Sequence, residues 1–326
     1  MLDDPIHSRA RPDAAPPPAP ILVTGPPRSG STWVGNVLSL DGRSGYVHEP
    51  FNKNCTAGRC RADFRHGFTY VTHANEAPYL APLRDTLAWK YSLMAEIREI
   101  RTPRSLARMA RDFTYYEIMR QRGVRMIMKD PMALLSADWI ADRFDARVVV
   151  VIRRPEGFVA SMRAAGWGRF PFRILLDQPA LMAERLAPFA EEMEAARRNM
   201  PDAIDAGTLL WRILHHHIDL LRREHPDWIF VRHEDLSRDP EPGFRALFDA
   251  LGLDFTETVR AKLVDFTSGN GGGLSRLSPF GTTRRTLRSS SDSLDRVRSR
   301  LTAAEIARIR TATAPLAAAF YPEEIW

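Results

Sequence analysis

Residues 20–40 read PILVTGPPRSGSTWVGNVLSL, and a strand, a loop and a helix follow one another in that stretch. "PILVTG" (20–25) is a short apolar run closed by Gly25, which predicts a buried strand. In "STWVGNVLSL" (31–40) the apolar residues at 33, 34, 37, 38 and 40 recur at helical spacing. A glycine-rich loop between strand and helix suits a phosphate. The first helical turn offers it unpaired N–H groups and the positive end of the helix dipole. The nucleoside-triphosphate form of such a loop is G-x-x-x-x-G-K-[ST]. Gly25, Gly30 and Thr32 fit that pattern, but Ser31 stands where the lysine belongs, and the nearest cation is Arg28. The missing lysine is the group that reaches the β- and γ-phosphates, so γ-phosphoryl transfer is disfavoured. Arg28 suits a shorter anion.

Four further strands follow from apolar runs: "GYVHEPFN" (45–52), "VRMIMKD" (124–130), "ARVVVVIRRP" (146–155) and "WIFVRHEDL" (228–236). The unbroken Val/Ile run of the third suits a central parallel strand covered on both faces. Helical patterns alternate with them. "PMALLSADWIADRF" carries Pro131 in its first turn. "EGFVASMRAAG", the stretches up to about 225 and "GFRALFDALGL" follow, and residues 302–320 close the chain with Thr302 and Glu305 spaced as a capping box. Residues 53–85 read as irregular, 86–122 as mostly helical and 267–293 as a loop. The alternation predicts an α/β fold, a central parallel β-sheet of the P-loop type flanked by helices. The expected organisation is a flexible Pro/Ala-rich lead-in (1–19) and one domain (20–326), with a helical and loop insertion (about 53–125) covering an active site.

In such sheets ligands bind at the carboxyl ends of the strands. That rule gathers four features at one edge: the 25–32 loop, His48-Glu49, Lys129-Asp130 and Arg153-Arg154. If strand alternation persists, only one of His48 and Glu49 faces the site.

The bulk composition sets outer bounds. The chain has 326 residues, 44% of them hydrophobic, which supports a sizeable core and excludes global disorder. Its formal charge is +6 and its cations are nearly all arginine, with lysine only at 53, 90, 129 and 262. A basic chain is compatible with acidic glycans, phosphorylated small molecules or nucleic acid. The arginines are spread throughout, without the basic stripe and interleaved aromatics of a nucleic-acid groove. No apolar run is long enough to span a bilayer, and the N-terminus lacks a secretory apolar core. Cys55 and Cys60 cannot complete a zinc site and read as free thiols, so a cytoplasmic location is expected. "HHH" (215–217) lies within a helix, where adjacent positions diverge, so no metal is expected there.

"PPRSGSTW" (26–33) resembles the 5′-phosphosulfate loop of sulfotransferases that use 3′-phosphoadenosine 5′-phosphosulfate (PAPS). "VVVVIRRPEGFVASM" (148–162) is similar to that family's second signature, a strand ending in Arg with Ser eight residues on. "FVRHEDLSRDPE" (230–241) resembles its later Tyr-Glu-Asp-Leu segment, with His233 for Tyr. The resemblance implies a donor loop of Arg28, Ser29, Gly30, Ser31 and Thr32, with Trp33 at the adenine or in the core. It implies Arg153 and Ser161 at the 3′-phosphate, joined by Arg288 from a late basic loop. "MKDP" is similar to a segment of the tyrosylprotein branch, which places Lys129 with Arg28 on the bridging oxygen. "HEPF" resembles the Tyr-Glu-Pro or Phe-Glu-Pro segment of carbohydrate sulfotransferases, which makes Glu49 the general base and His48 the alternative. The implied acceptor is a hydroxyl on a glycan or other alcohol. The rival readings are a small-molecule kinase with a degenerate loop and a non-catalytic nucleotide- or nucleic-acid-binding protein.

Overall fold

The computed structural model describes residues 18–267 and 300–323. The predicted loop at 267–293, and Arg288 within it, lie outside the described residues apart from Thr267. The chain begins with β1 (Ile21–Thr24), α1 (Ser31–Leu38) and β2 (Ser44–His48). Three helices follow, α2 (Ala77–Leu87), α3 (Leu93–Glu99) and α4 (Pro103–Arg122). Then come β3 (Arg125–Lys129), α5 (Ala137–Phe144), β4 (Arg147–Ile152) and α6 (Pro155–Ala164). Short helices α7 (Arg173–Leu176), α8 (Pro179–Leu181) and α9 (Ala190–Arg198) lead to the long α10 (Ala203–Glu224). The remainder is β5 (Ile229–Arg232), α11 (His233–Arg238), α12 (Pro240–Ala250), α13 (Glu257–Thr267) and α14 (Ala303–Ala317). Among the described residues no helix is long and apolar enough to cross a membrane.

The five strands form one parallel sheet in the order β2-β3-β1-β4-β5. Their side chains alternate between two cores. Leu22, Val47, Met126, Met128, Val148 and Val150 face the larger one, with α6, α10 and α14. Ile21, Val23, Tyr46, Ile127, Val149 and Val151 face the smaller one, with α1 and α12. Because side chains alternate between two covered faces, the central strands read as nearly continuous apolar runs.

The segment expected to form an insertion is part of the core. Phe51, Phe64, Phe68, Leu83, Trp89, Tyr116 and Met119 are buried in the larger cluster, so residues 51–122 cover one sheet face. Residues 53–85 are also less irregular than expected, because α2 begins at Ala77 and continues through Pro82. The helix expected from Pro131 begins only at Ala137, after a 3₁₀ turn over Leu134–Ser136. The side chain of Asp130 accepts the Met132 N–H at 2.9 Å and holds the chain in a turn first. The last strand stops at Arg232, and Glu234 and Asp235 sit in the first turn of α11, where carboxylates favour a helix start. The closing helix carries the expected capping box between Thr302 and Glu305.

Gly25 ends β1 with a φ of 132°, and a Cβ there would lie 2.3 Å from the Val151 carbonyl oxygen. That oxygen belongs to a central strand and cannot withdraw. Gly25→Ala is expected to cost about 1–3 kcal/mol in backbone strain alone, before the clash is counted. A urea midpoint equal to that of the wild type would show that the loop leaves the sheet by another path.

Candidate active site

The loop after β1 turns through Arg28 (φ 68°) and Gly30 (φ 102°) into α1. Gly30 is the N-cap and supplies no side-chain acceptor to the first turn, so the Ser31 and Thr32 N–H groups have no side-chain cap, while the Trp33 N–H bonds the Gly30 carbonyl at 2.9 Å. Ser29 is fully buried, and its hydroxyl has no hydrogen-bond partner among the described residues. Ser31 is buried and Thr32 half-buried at the helix start. Trp33 is half-buried, edge-on to Phe244 at 5.0 Å and to His233 at 5.9 Å. It therefore packs between α1 and the helices after β5.

One corner of the site joins the loop to β4 and α6. The Arg28 Nε donates to the hydroxyl of Ser161 at 3.1 Å. Arg153 Nη1 donates to the Arg28 carbonyl at 2.5 Å. Partial desolvation, then the charge of Arg300, lower the pKa of Arg28, and no carboxylate pairs with it among the described residues. A cation without a counter-charge beside an unused hydroxyl suits an anion. Trp211, fully buried on α10, donates its indole N–H to the Arg153 carbonyl at 2.9 Å and fixes that end of β4. Arg154 turns away: its guanidinium lies 5.5 Å from the Tyr321 ring centre.

The other corner lies at the ends of β2 and β3. The register pairs His48 with Lys129 across the two strands. Their side chains fall on the α1 side, and Gly35 makes room there, because a Cβ on it would come 3.1 Å from the Lys129 Cβ. Glu49 departs from strand alternation. Its φ of 49° turns the chain, so its carboxylate returns to the same place as His48 rather than to the opposite face. Lys129 Nζ donates to Glu49 Oε1 in a buried ion pair. The Asn52 amide donates to Glu49 Oε2 at 2.7 Å, and His48 Nε2 lies 3.5 Å from Oε1. The other ring nitrogen of His48 lies 2.9 Å from the Tyr46 hydroxyl. The expectation that only one of His48 and Glu49 faces the site is thus corrected.

Asp130 is fully buried, and its carboxylate accepts the backbone N–H groups of Phe51 at 2.6 Å and Met132 at 2.9 Å. It ties the turn after Glu49 to the end of β3. Asp130 is thereby given to holding the backbone.

The charges are strongly coupled. Burial raises the pKa of the Glu49 carboxyl, but Lys129, His48 and the hydrogen bonds from Lys129 and Asn52 outweigh it and leave it below the usual range. Burial, then Lys129, lowers His48 to about 4, so its imidazole is neutral near pH 7. Burial, then Glu49, raises Asp130 to about 7. The three adjacent histidines diverge as expected: His215 stacks on Trp211, His217 Nε2 lies 3.3 Å from the Leu134 carbonyl, and His216 meets Phe189. Cys55 and Cys60 are free thiols.

Asn52 and Trp211 were not singled out from sequence. For Asn52 a signal was present: "EPFN" has proline at the second position of a turn, and the Asn52 N–H does bond back to the Glu49 carbonyl at 3.1 Å. Trp211 gave none, since its role depends on a contact between residues 58 positions apart.

A family model described as the sulfotransferase family matches residues 20–257. The chain belongs to that family, and its general chemistry is sulfuryl transfer. The sulfotransferase domain from the Synechococcus PCC 7002 olefin synthase is similar in structure at a TM-score of 0.47, with 19% identity over 95% of this chain and 97% of that one. The sulfotransferase domain from the curacin biosynthetic pathway gives 0.42, with 14% identity over 91% and 98%. Sulfotransferase STF9 from Mycobacterium avium gives 0.38, with 15% identity over 86% and 77%. No curated protein matches the chain.

Proposed function

We propose that the protein transfers a sulfuryl group from PAPS to an acceptor hydroxyl on a carbohydrate or other alcohol, releasing adenosine 3′,5′-bisphosphate (PAP). The observation that carries this reading is the Lys129–Glu49 pair, a cation and a carboxylate held together at the strand ends beside the 25–32 loop. The acceptor oxygen forms a bond to sulfur while the bond from sulfur to the bridging oxygen breaks. The electron pair of that bond moves onto the departing phosphate. Glu49 takes the hydroxyl proton, and Lys129 and Arg28 offset the charge growing on the bridging oxygen. Arg153 and Ser161 hold the 3′-phosphate, and the loop N–H groups with Ser29, Gly30, Ser31 and Thr32 hold the 5′ side.

Burial favours Glu49 over His48 as the base. It raises the proton affinity of Glu49 and lowers that of His48. Once Lys129 turns to the donor, Glu49 loses its main counter-charge and becomes the better base, while burial still penalises a charged His48.

Calorimetric titration with PAP, beside ATP, ADP and AMP and with and without magnesium, tests the donor assignment. Metal-independent PAP binding is expected, weakened about tenfold to a hundredfold by Arg153→Ala and by Ser161→Ala. Magnesium-dependent binding of ATP with no binding of PAP would replace this reading with a kinase.

A further inference from the structure

Of the eight large apolar side chains that are exposed among the described residues, five lie between positions 94 and 118. They are Met94 (67% exposed) and Ile97 on α3, and Leu106 (51%), Phe113 and Ile118 on α4. The two helices form an antiparallel hairpin. Arg108 pairs with Glu96 at 3.3 Å, and the rings of Tyr91 and Phe113 are 6.2 Å apart. The inward face of α4 carries Asp112, Tyr116 and Met119. Leu106, Phe113 and Ile118, with exposed Ala107 and Ala110 between them, lie outside it. The hairpin is firmly seated, because Arg59 pairs with buried Asp112 at 2.6 Å and Glu96 accepts the Gly58 N–H at 2.8 Å. These apolar groups are therefore presented by a fixed surface.

The tip of the hairpin is basic. Residues 98–104 hold Arg98, Arg101 and Arg104 against the single carboxylate of Glu99. Among the described residues these three arginines form no ion pair, and the Arg101 guanidinium donates to the Arg98 and Ile100 carbonyls. Other exposed arginines, such as Arg61, Arg120 and Arg260, are matched with carboxylates, and what sets the tip apart is three unmatched arginines within seven residues.

We propose that the α3–α4 hairpin is a docking face for an anionic lipid bilayer. The unpaired guanidiniums meet the lipid phosphates, and the exposed Met, Ile, Leu and Phe side chains enter the boundary between headgroups and acyl chains. A second copy fits this face poorly, because a two-fold contact across the apolar side chains would bring the arginine tip to the far end of α4, which carries Arg120 and Arg122. Nucleic acid would use the arginines and leave the apolar side chains unmatched. The proposal stands apart from the sulfuryl-transfer reading, since none of these residues belongs to the site.

Sedimentation of the full chain with vesicles tests it. Binding is expected to phosphatidylcholine vesicles containing an equal part of phosphatidylglycerol, to be released by salt, and to be nearly absent from phosphatidylcholine alone. At about fivefold per arginine, R98Q/R101Q/R104Q should weaken partitioning on the order of a hundredfold. L106S/F113S should weaken it while leaving PAP affinity and the thermal midpoint unchanged. No binding to the anionic vesicles overturns the proposal, as does binding that neither variant reduces. A dimer in solution that L106S/F113S dissociates also overturns it, by assigning the face to a second copy.

Discussion

Glu49→Gln is expected to lower the rate of sulfuryl transfer by about 10²–10⁴-fold, the usual contribution of a positioned base. PAP affinity should stay close to that of the wild type. The substitution keeps the size of the side chain and a carbonyl oxygen for Asn52 or Lys129, so the turn held by Asp130 has no reason to move. The measurement is single-turnover transfer from PAPS to any hydroxyl compound that the wild type sulfates, beside a PAP titration. A rate within a few-fold of wild type would remove Glu49 from the chemistry and transfer the role to His48, whose own replacement would then abolish turnover.

Lys129→Met should reduce turnover by about 10²–10³-fold, as expected for a lost donor to a developing oxyanion. It should also change the pH profile. In the wild type Lys129 helps hold the Glu49 carboxyl below its usual range, so the ionised base persists to low pH. Without the ammonium, burial is opposed only by His48 and the Asn52 hydrogen bond, and the pKa rises. The acid limb of kcat/KM must then move to higher pH. A general loss of rate with an unshifted acid limb would mean that Lys129 serves the leaving group alone and does not tune the base.

The sheet was legible because parallel strands buried on both faces are written as plain apolar runs. All five strands were found within a few residues, and the 25–32 loop lies between β1 and α1 as read. The errors cluster where one side chain redirects the backbone. Asp130 captures the Phe51 and Met132 N–H groups, which delays α5 and shapes the turn after β2. Glu49 enters left-handed backbone geometry, and a residue type alone does not announce a positive φ. The middle segment was misjudged for a different reason. Its many prolines, glycines and histidines conceal Phe51, Phe64, Phe68 and Trp89, which are too irregularly spaced to show helical or strand periodicity yet pack together. The candidate residues themselves were readable as motif members. Their pairings across the sheet depend on strand order and register.

The strand order β2-β3-β1-β4 also acts as a ruler. Neighbouring strands lie about 4.8 Å apart, so the end of β2 and the end of β4 stand roughly 14 Å from each other. Glu49 is at one mark, Lys129 at the next, the 25–32 loop at the third and Arg153 at the last. In the proposed reaction, chemical change travels along this row from acceptor to nucleoside, one strand per role. Groups that far apart are energetically nearly independent. The chain can therefore drift toward new acceptors at the β2 margin without loosening its hold on the nucleotide at β4, so one donor grip can serve many acceptors.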